Sequence, residues 1–310
     1  MKMNELFCVF NNCNDSILAL NPFIKRSGFE FVKVGIPELE TDFRFLFHLP
    51  EEYTTKSTIR YPNGLISDTF MNVLLKSDLI DEYDREYVIF LKSIIGDIPI
   101  EKDDYFGHFH LKYIHDFAIS LIDKLRLFKS GDIEISTYFS LNIEQKRNIV
   151  QNERRSFVNG NQYVVEESEV QELGCFLNEN SITNPLALKA KLYFDQSYRI
   201  NINEVRFIVL ITSLESILNV NREQISHTFS RHLALMLTQD RNDFPVIYKK
   251  IKKLYNLRSQ IIHGASKEIE NMEDNINELE NYVRKSIVAV NKLEFQNSND
   301  LFEHFNNMGV

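Results

Sequence analysis

The sequence predicts an α+β protein in two parts: a mixed α/β N-terminal domain over residues 1–180, followed by an all-α helical bundle over 186–310. Three observations lead there. At 310 residues the chain exceeds one ordinary domain, and its 44% apolar and 25% charged content is that of a folded chain with a sizeable core. Before residue 180 the apolar residues come in short runs rich in aromatic and β-branched types, bounded by Asn, Gly and Pro. After residue 185 they recur every three or four positions, the period of amphipathic helices.

Taken in order, residues 6–10, 17–23, 29–36 and 43–49 have strand composition. Helical patterns follow at 70–79, 84–95 and 113–128. Residues 133–141 read as a further strand, and 157–165 as a hairpin turning at Asn159-Gly160, a pair that readily adopts the positive φ angles of a tight turn. A helix over 166–178 leads to the domain boundary near 180–185. Beyond it, residues 205–218 place Ile208, Ile211 and Leu218 on one helical face with Glu215 between them. Residues 245–263 repeat Ile247, Ile251, Leu254, Ile261 and Ala265 in steps compatible with one face. There is no internal repeat, low-complexity tract or Gly-rich phosphate loop.

No apolar run approaches the ~20 residues needed to cross a bilayer, and the opening MKMNELFCVFNNCND lacks the apolar stretch and cleavage site of a signal peptide. Three cysteines without a C-x-x-C spacing fit a reducing compartment. A cytoplasmic protein with no membrane partner is expected.

The most informative run is Leu254-Tyr255-Asn256-Leu257-Arg258-Ser259-Gln260-Ile261-Ile262-His263-Gly264. Arg258 falls within the apolar series, where a guanidinium is costly to bury unless a carboxylate meets it. Glu215 interrupts the other apolar face, so the two helices are expected to pack with Glu215 and Arg258 in a forked pair. His263 lies roughly 140° round the helix from Arg258, on the polar side with Asn256, Ser259 and Gln260. Gly264 is the expected left-handed residue that ends the helix, so His263 occupies the last turn, where the dipole favours a cation.

An Arg and a His without a neighbouring nucleophile suit phosphoryl transfer on RNA, whose 2′-hydroxyl is the nucleophile. His263 takes its proton, and Arg258 stabilises charge growing on the phosphate oxygens. Tyr255 and Ser259, close by on the same helix, are supporting residues together with Glu215. One copy of each group gives a base but no separate acid for the leaving 5′-oxygen, so an active homodimer or higher homo-oligomer is expected. The net charge of −9 argues mildly against a general nucleic-acid binder. However, Lys249, Lys250, Lys252 and Lys253 form a local basic stretch able to carry an RNA backbone toward the motif. The following Glu268, Glu270, Glu273, Asp274, Glu278 and Glu280 would repel RNA and confine it to one side. Read blandly, the lysines are the solvated face of an amphipathic helix, and Arg258 and His263 are a structural ion pair and a helix-end histidine.

His108-x-His110-x4-His115 raises a metal site, with His108 and His110 on one face of a strand and Asp103, Asp104 or Asp116 completing it. The flanking Phe106, Phe109, Tyr113 and Phe117 instead suggest histidines at the edge of a core. Neither a metal nor another cofactor is expected.

At LITSLESIL (210–218), SHTFSRHLALML (226–237) and above all LYNLRSQIIHG (254–264), the chain resembles the HEPN domains, and within them the ApeA-like group. The likeness spans roughly residues 186–295, about a third of the chain. It implies a dimerising helical bundle, metal-independent endoribonuclease activity leaving 2′,3′-cyclic phosphates, and frequent employment in abortive defence against phage, with a possible phage-derived activator. Arg258 and His263 fall on the family's catalytic motif and Glu215 on a family acidic position. In a related toxin branch the motif continues His-x-Tyr and that Tyr is modified; this chain has Ala265, so regulation by that modification is not expected. The alternative is a catalytically inactive HEPN sensor or adaptor that binds RNA or a protein partner.

Overall fold

The computed structural model describes residues 4–35, 56–60, 66–70, 86–94, 108–142, 147–152, 161–179, 181–218, 225–238, 242–264 and 271–308. The chain divides into two compact units, one of residues 1–122, 133–155 and 161–178, the other of 123–132, 156–160 and 179–310. The fold is α+β: an antiparallel sheet in the first unit, helices in the second.

The first unit is built on β1 (Asn4–Asn11), β2 (Phe29–Gly35), β5 (Tyr87–Ser93), β6 (Glu134–Asn142) and β7 (Arg147–Asn152), in the order β2-β5-β1-β6-β7 with every pair antiparallel. Separately, β3 (Lys56–Arg60) and β4 (Ile66–Phe70) pair with each other. In β1 the consecutive residues Leu6, Phe7, Cys8, Val9 and Phe10 are all buried. Successive strand residues point to opposite sides, so both faces of the central strand are covered. Helix α1 (His108–Phe128) contributes Leu111, Ile114, Ala118, Leu121 and Ile122 to this unit as one buried stripe. Its Phe117 ring stacks on Phe29 of β2 with centroids 4.1 Å apart. Helix α2 (Val170–Glu179) passes so close to Phe23 that a methyl at Gly174 would stand 2.3 Å from the ring.

Several sequence expectations for this unit change. Residues 17–23 form a 3-10 helix (Asp15–Leu20) and one helical turn (Asn21–Ile24) instead of a strand. Local side-chain hydrogen bonds override their strand composition. Asn14 Oδ1 accepts the Ser16 N–H, and Asn21 both donates to the Phe31 carbonyl and accepts the Phe31 N–H. Residues 84–95 contain β5, a strand, because Val88, Ile89, Phe90 and Leu91 are buried together between β1 and β2. Continuous burial of this kind leaves no periodicity that separates helix from strand. Of the expected hairpin at 157–165, residues 157–160 lie outside the described residues, and Tyr163 instead bridges Cys13 in parallel, its N–H donating to the Asn12 carbonyl at 2.8 Å. Phe70 ends β4, while residues 71–79 and 43–49 lie outside the described residues.

His108 begins a helix rather than lying in a strand, so the two-residue strand spacing on which the expected shared face of His108 and His110 rested does not apply. Phe106, Asp103 and Asp104 lie outside the described residues. His115 tilts against Tyr138, with its Nδ1 3.5 Å from Asp116.

The second unit comprises the last turns of α1 and helices α3 (Pro185–Ser197), α4 (Asn203–Ile217), α5 (Ile225–Leu237), α6 (Phe244–Ile262), α7 (Met272–Asn291) and α8 (Ser298–Asn307). Asn184 starts α3 as an N-cap, accepting the N–H groups of Leu186 and Ala187. Its amide also donates to the carbonyls of Leu293 and Phe295, which ties the start of α3 to the chain just after α7. The core is lined by Phe194 of α3, Phe207, Leu210 and Leu214 of α4, Phe229 and Leu233 of α5, and Ile276, Leu279, Val283 and Ile287 of α7.

A charged cluster sits inside this bundle. Glu280 of α7, 3% exposed, accepts from Arg206 of α4 at 3.0 Å, from Arg284 of its own helix at 2.6 Å and from the Tyr198 hydroxyl at 2.5 Å. The Arg126 guanidinium lies 4.0 Å from the centre of the Tyr198 ring. Burial, reinforced by the Glu280 charge, pushes the Tyr198 hydroxyl far above its ordinary pKa, so it remains a donor.

On α5, His232 is fully buried, with Nε2 3.1 Å from Asn306 Oδ1 and its ring against Phe302 and Phe305 of α8. Among the described residues its Nδ1 has no hydrogen-bond partner. Burial is the largest influence and holds the imidazole below its ordinary pKa, opposed by the Asn306 contact and aided by Arg231 and His227. The unfolded chain therefore takes up this proton at higher pH than the folded one. The stability contributed by neutral His232 is complete above pH ~6.5 and is lost as the pH falls below that value. We expect the Tm to drop between about pH 7 and pH 5, with a shallower drop in His232→Gln; an identical slope in the variant would assign the acid sensitivity to other groups.

Candidate functional site

Three of the residues expected to act together meet between α4 and α6. Arg258 Nε lies 3.2 Å from Glu215 Oε1, and its Nη2 donates to Glu215 Oε2 at 3.5 Å. The Nε–H is not aimed at the oxygen, so the short Nε distance is an ionic contact without a well-formed hydrogen bond. The carboxylate receives a better-formed hydrogen bond from the Tyr255 hydroxyl, which donates to Oε1 at 2.9 Å. Tyr255 is in turn packed by Phe229 of α5, ring centres 4.7 Å apart, and its own ring lies 5.6 Å from the Arg258 guanidinium carbon.

This corrects the expected forked pair in two ways. Glu215 and Arg258 are half-buried, at 27% and 29% side-chain exposure, rather than enclosed. The carboxylate is also shared with Tyr255, three residues before Arg258 and thus on the same side of α6. Solvent screening reduces what the pair contributes. Glu215→Ala is expected to destabilise by about 1–2 kcal/mol in urea unfolding, since two donors lose a charged acceptor while keeping access to water. A loss above about 3 kcal/mol would indicate a fully enclosed pair.

Burial, followed by the Glu215 charge and the hydrogen bond to it, pushes the Tyr255 hydroxyl up to about 12. At neutral pH Tyr255 is a donor that orients Glu215 and, through it, the guanidinium.

His263 is the C-cap of α6, and its N–H donates to the Ser259 carbonyl at 3.1 Å. Gly264 follows at φ 67°, the left-handed conformation that stops the helix, and among the described residues no atom lies within 4 Å of where a side chain would project. His263 and Ser259 are both exposed. Among the described residues no hydrogen bond joins His263 to Arg258, which leave the helix in different directions. The chain thus presents an anchored, partly accessible cation and a separate accessible imidazole near the end of one helix.

Upstream on α6, Lys249, Lys250, Lys252 and Lys253 are all exposed. Lys250 is ion-paired to Glu278 of α7 at 3.0 Å, a contact not expected from the sequence. Among the described residues the acidic stretch does not form a continuous wall. Glu280 is buried, Glu278 holds Lys250, Glu273 and Asp274 are exposed, and Glu268 and Glu270 lie outside the described residues, as does Ala265. Ser226 of α5 donates to Asn256 Oδ1 at 3.2 Å, linking the start of α5 to the polar face of α6. Among the described residues no helix is long and apolar enough to cross a membrane. No group of three His, Cys, Asp or Glu side chains is placed among them to hold a metal ion.

Comparison with protein-family models, with curated proteins and with solved structures gives no match.

Proposed function

We propose that the protein is a metal-independent endoribonuclease of HEPN type that acts as a homodimer. The observation that supports this most directly is the pairing on α6 of an anchored guanidinium with an accessible imidazole at the helix end: Glu215 and Tyr255 fix Arg258, and Gly264 exposes His263. This arrangement suits cleavage of RNA by its own 2′-hydroxyl.

In that reaction His263 accepts the 2′-hydroxyl proton as the 2′-oxygen forms a bond to the adjacent phosphorus. Arg258 stabilises the charge on the non-bridging oxygens. The bond from phosphorus to the 5′-oxygen then breaks, and the leaving oxygen takes a proton from a second imidazole, leaving a 2′,3′-cyclic phosphate and a 5′-hydroxyl. A second copy of the chain, related by two-fold symmetry, supplies that imidazole. Such an activity would harm its own cell if unrestrained, which fits a role in abortive defence with the N-terminal unit as the sensor of an infection signal.

The test is cleavage of end-labelled RNA in excess EDTA by wild type, Arg258→Ala and His263→Ala. Cleavage by wild type alone, absent on a substrate with 2′-deoxyribose at the scissile position, is the expected result. Activity persisting in both variants removes the assignment and leaves a non-catalytic sensor or adaptor as the reading.

A further inference from the structure

We propose that Phe244 and Tyr248 form a base-stacking platform for single-stranded RNA, which feeds the strand along α6 toward Arg258 and His263; this rests on the nuclease reading above. Both rings are only partly buried, and they lie nearly parallel, with centres 6.0 Å apart and planes 17° from one another. The exposed His227 imidazole of α5 meets Tyr248 edge-on, with ring centres 5.8 Å apart. Lys252 Nζ lies 5.6 Å from the centre of the Tyr248 ring. Aromatic surface is thus left in contact with water beside a cation.

Helix geometry continues the platform into the candidate site. Tyr248, Lys252, Ser259 and His263 fall within about 60° of one another around α6, and Tyr248 precedes His263 by about 22 Å along the axis. A strand stacked on Tyr248 and running along that face reaches His263 after a few nucleotides.

Charge selects the occupant. Residues 244–262 contain four lysines and Arg258 and no acidic residue. Lys250 and Arg258 have carboxylate partners in Glu278 and Glu215, while Lys252 lies over the Tyr248 ring and Lys249 and Lys253 add exposed positive charge elsewhere around the same helix. Aromatic faces beside cations match unstacked bases on a phosphate backbone. A duplex keeps its base faces stacked internally and offers the rings nothing but its ends.

The test uses the full chain carrying His263→Ala, so that RNA is retained, and measures fluorescence anisotropy with a labelled single-stranded oligo(A), alone and annealed to oligo(U). Single-stranded RNA is expected to bind more tightly than the duplex. Tyr248→Ala is expected to weaken that binding by about 5- to 150-fold, the range of one lost base-stacking contact, whereas Tyr248→Phe retains it. Phe244→Ala, in the first turn of α6, provides a second variant should Tyr248→Ala fold poorly. Equal binding by the Ala variants and the parent overturns the platform, and equal loss in Tyr248→Phe and Tyr248→Ala assigns the effect to the hydroxyl, which also overturns it. Binding that polyglutamate displaces and that neither Ala substitution changes marks a general polyanion surface and counts against stacking. If the platform fails while wild type still cleaves RNA in EDTA, the nuclease reading stands; if no RNA is bound or cut, both fall.

Discussion

Glu280→Ala is expected to destabilise the second unit by about 3–5 kcal/mol, the largest stability loss of any single substitution considered for this chain. Glu280 is 3% exposed and Arg284 4%, with Arg206 at 9%, so removing the carboxylate strands two guanidinium groups where water cannot replace it. The Tyr198 hydroxyl loses its acceptor as well. Among the described residues the buried Nε–H groups of Arg206 and Arg284 already have no hydrogen-bond partner, so the cluster holds no spare acceptor that could replace the carboxylate. A urea or thermal unfolding curve measures the effect. The penalty comes from the stranded cations rather than from great strength of the pairs. Combining Glu280→Leu with Arg206→Met, Arg284→Met and Tyr198→Phe should therefore recover most of the loss. A Glu280→Ala variant as stable as wild type would mean that water reaches the cluster.

The largest effect on activity is expected at the end of α6. On the proposed nuclease reading, His263→Ala removes the base and should slow RNA cleavage by about 10²–10⁴-fold, and Arg258→Ala removes the charge stabiliser and should slow it by about 10²–10³-fold. Because Arg258 and His263 diverge on one chain, a composite groove predicts complementation. If the chain is the proposed dimer, co-expressed Arg258→Ala and His263→Ala chains would form mixed dimers that keep one guanidinium and one imidazole, and their activity should rise above that of either variant alone. It should stay below wild type, since only one imidazole remains to serve as both base and acid. No rise in verified mixed dimers would show that each subunit depends on its own pair, contrary to the two-fold groove.

Much of the candidate site is legible in the sequence because its determinants are local. The stop at Gly264 needs only a residue that tolerates positive φ, and the structure gives φ 67° there. The exposure of His263 and Ser259 follows from their polar face of the helix. Two charges interrupting two apolar stripes predict that Glu215 and Arg258 meet, and they lie 3.2 Å apart at closest approach. The extent of their burial is not legible in this way, because it depends on how much of α4 and α5 covers α6. Glu280 illustrates the same limit. In the sequence it is one of six acids in a solvated run, but in the structure it is the buried centre of a network, since Arg206 is 74 residues away along the chain.

The α+β class, the helical period of the C-terminal part, the end of α6 and the side of that helix on which each polar group lies can all be read from the order of residues alone. These follow from backbone propensity and side-chain spacing over a few residues, which act wherever the segment is placed. Packing is what makes residues 84–95 contain a strand, lets Tyr255 share Glu215 with Arg258, sets Glu278 against Lys250 and encloses Glu280 between two arginines. Each of these depends on which distant segment lies alongside, because hydrogen-bond partners, solvent access and charge neutralisation are properties of packed surfaces rather than of local order along the chain.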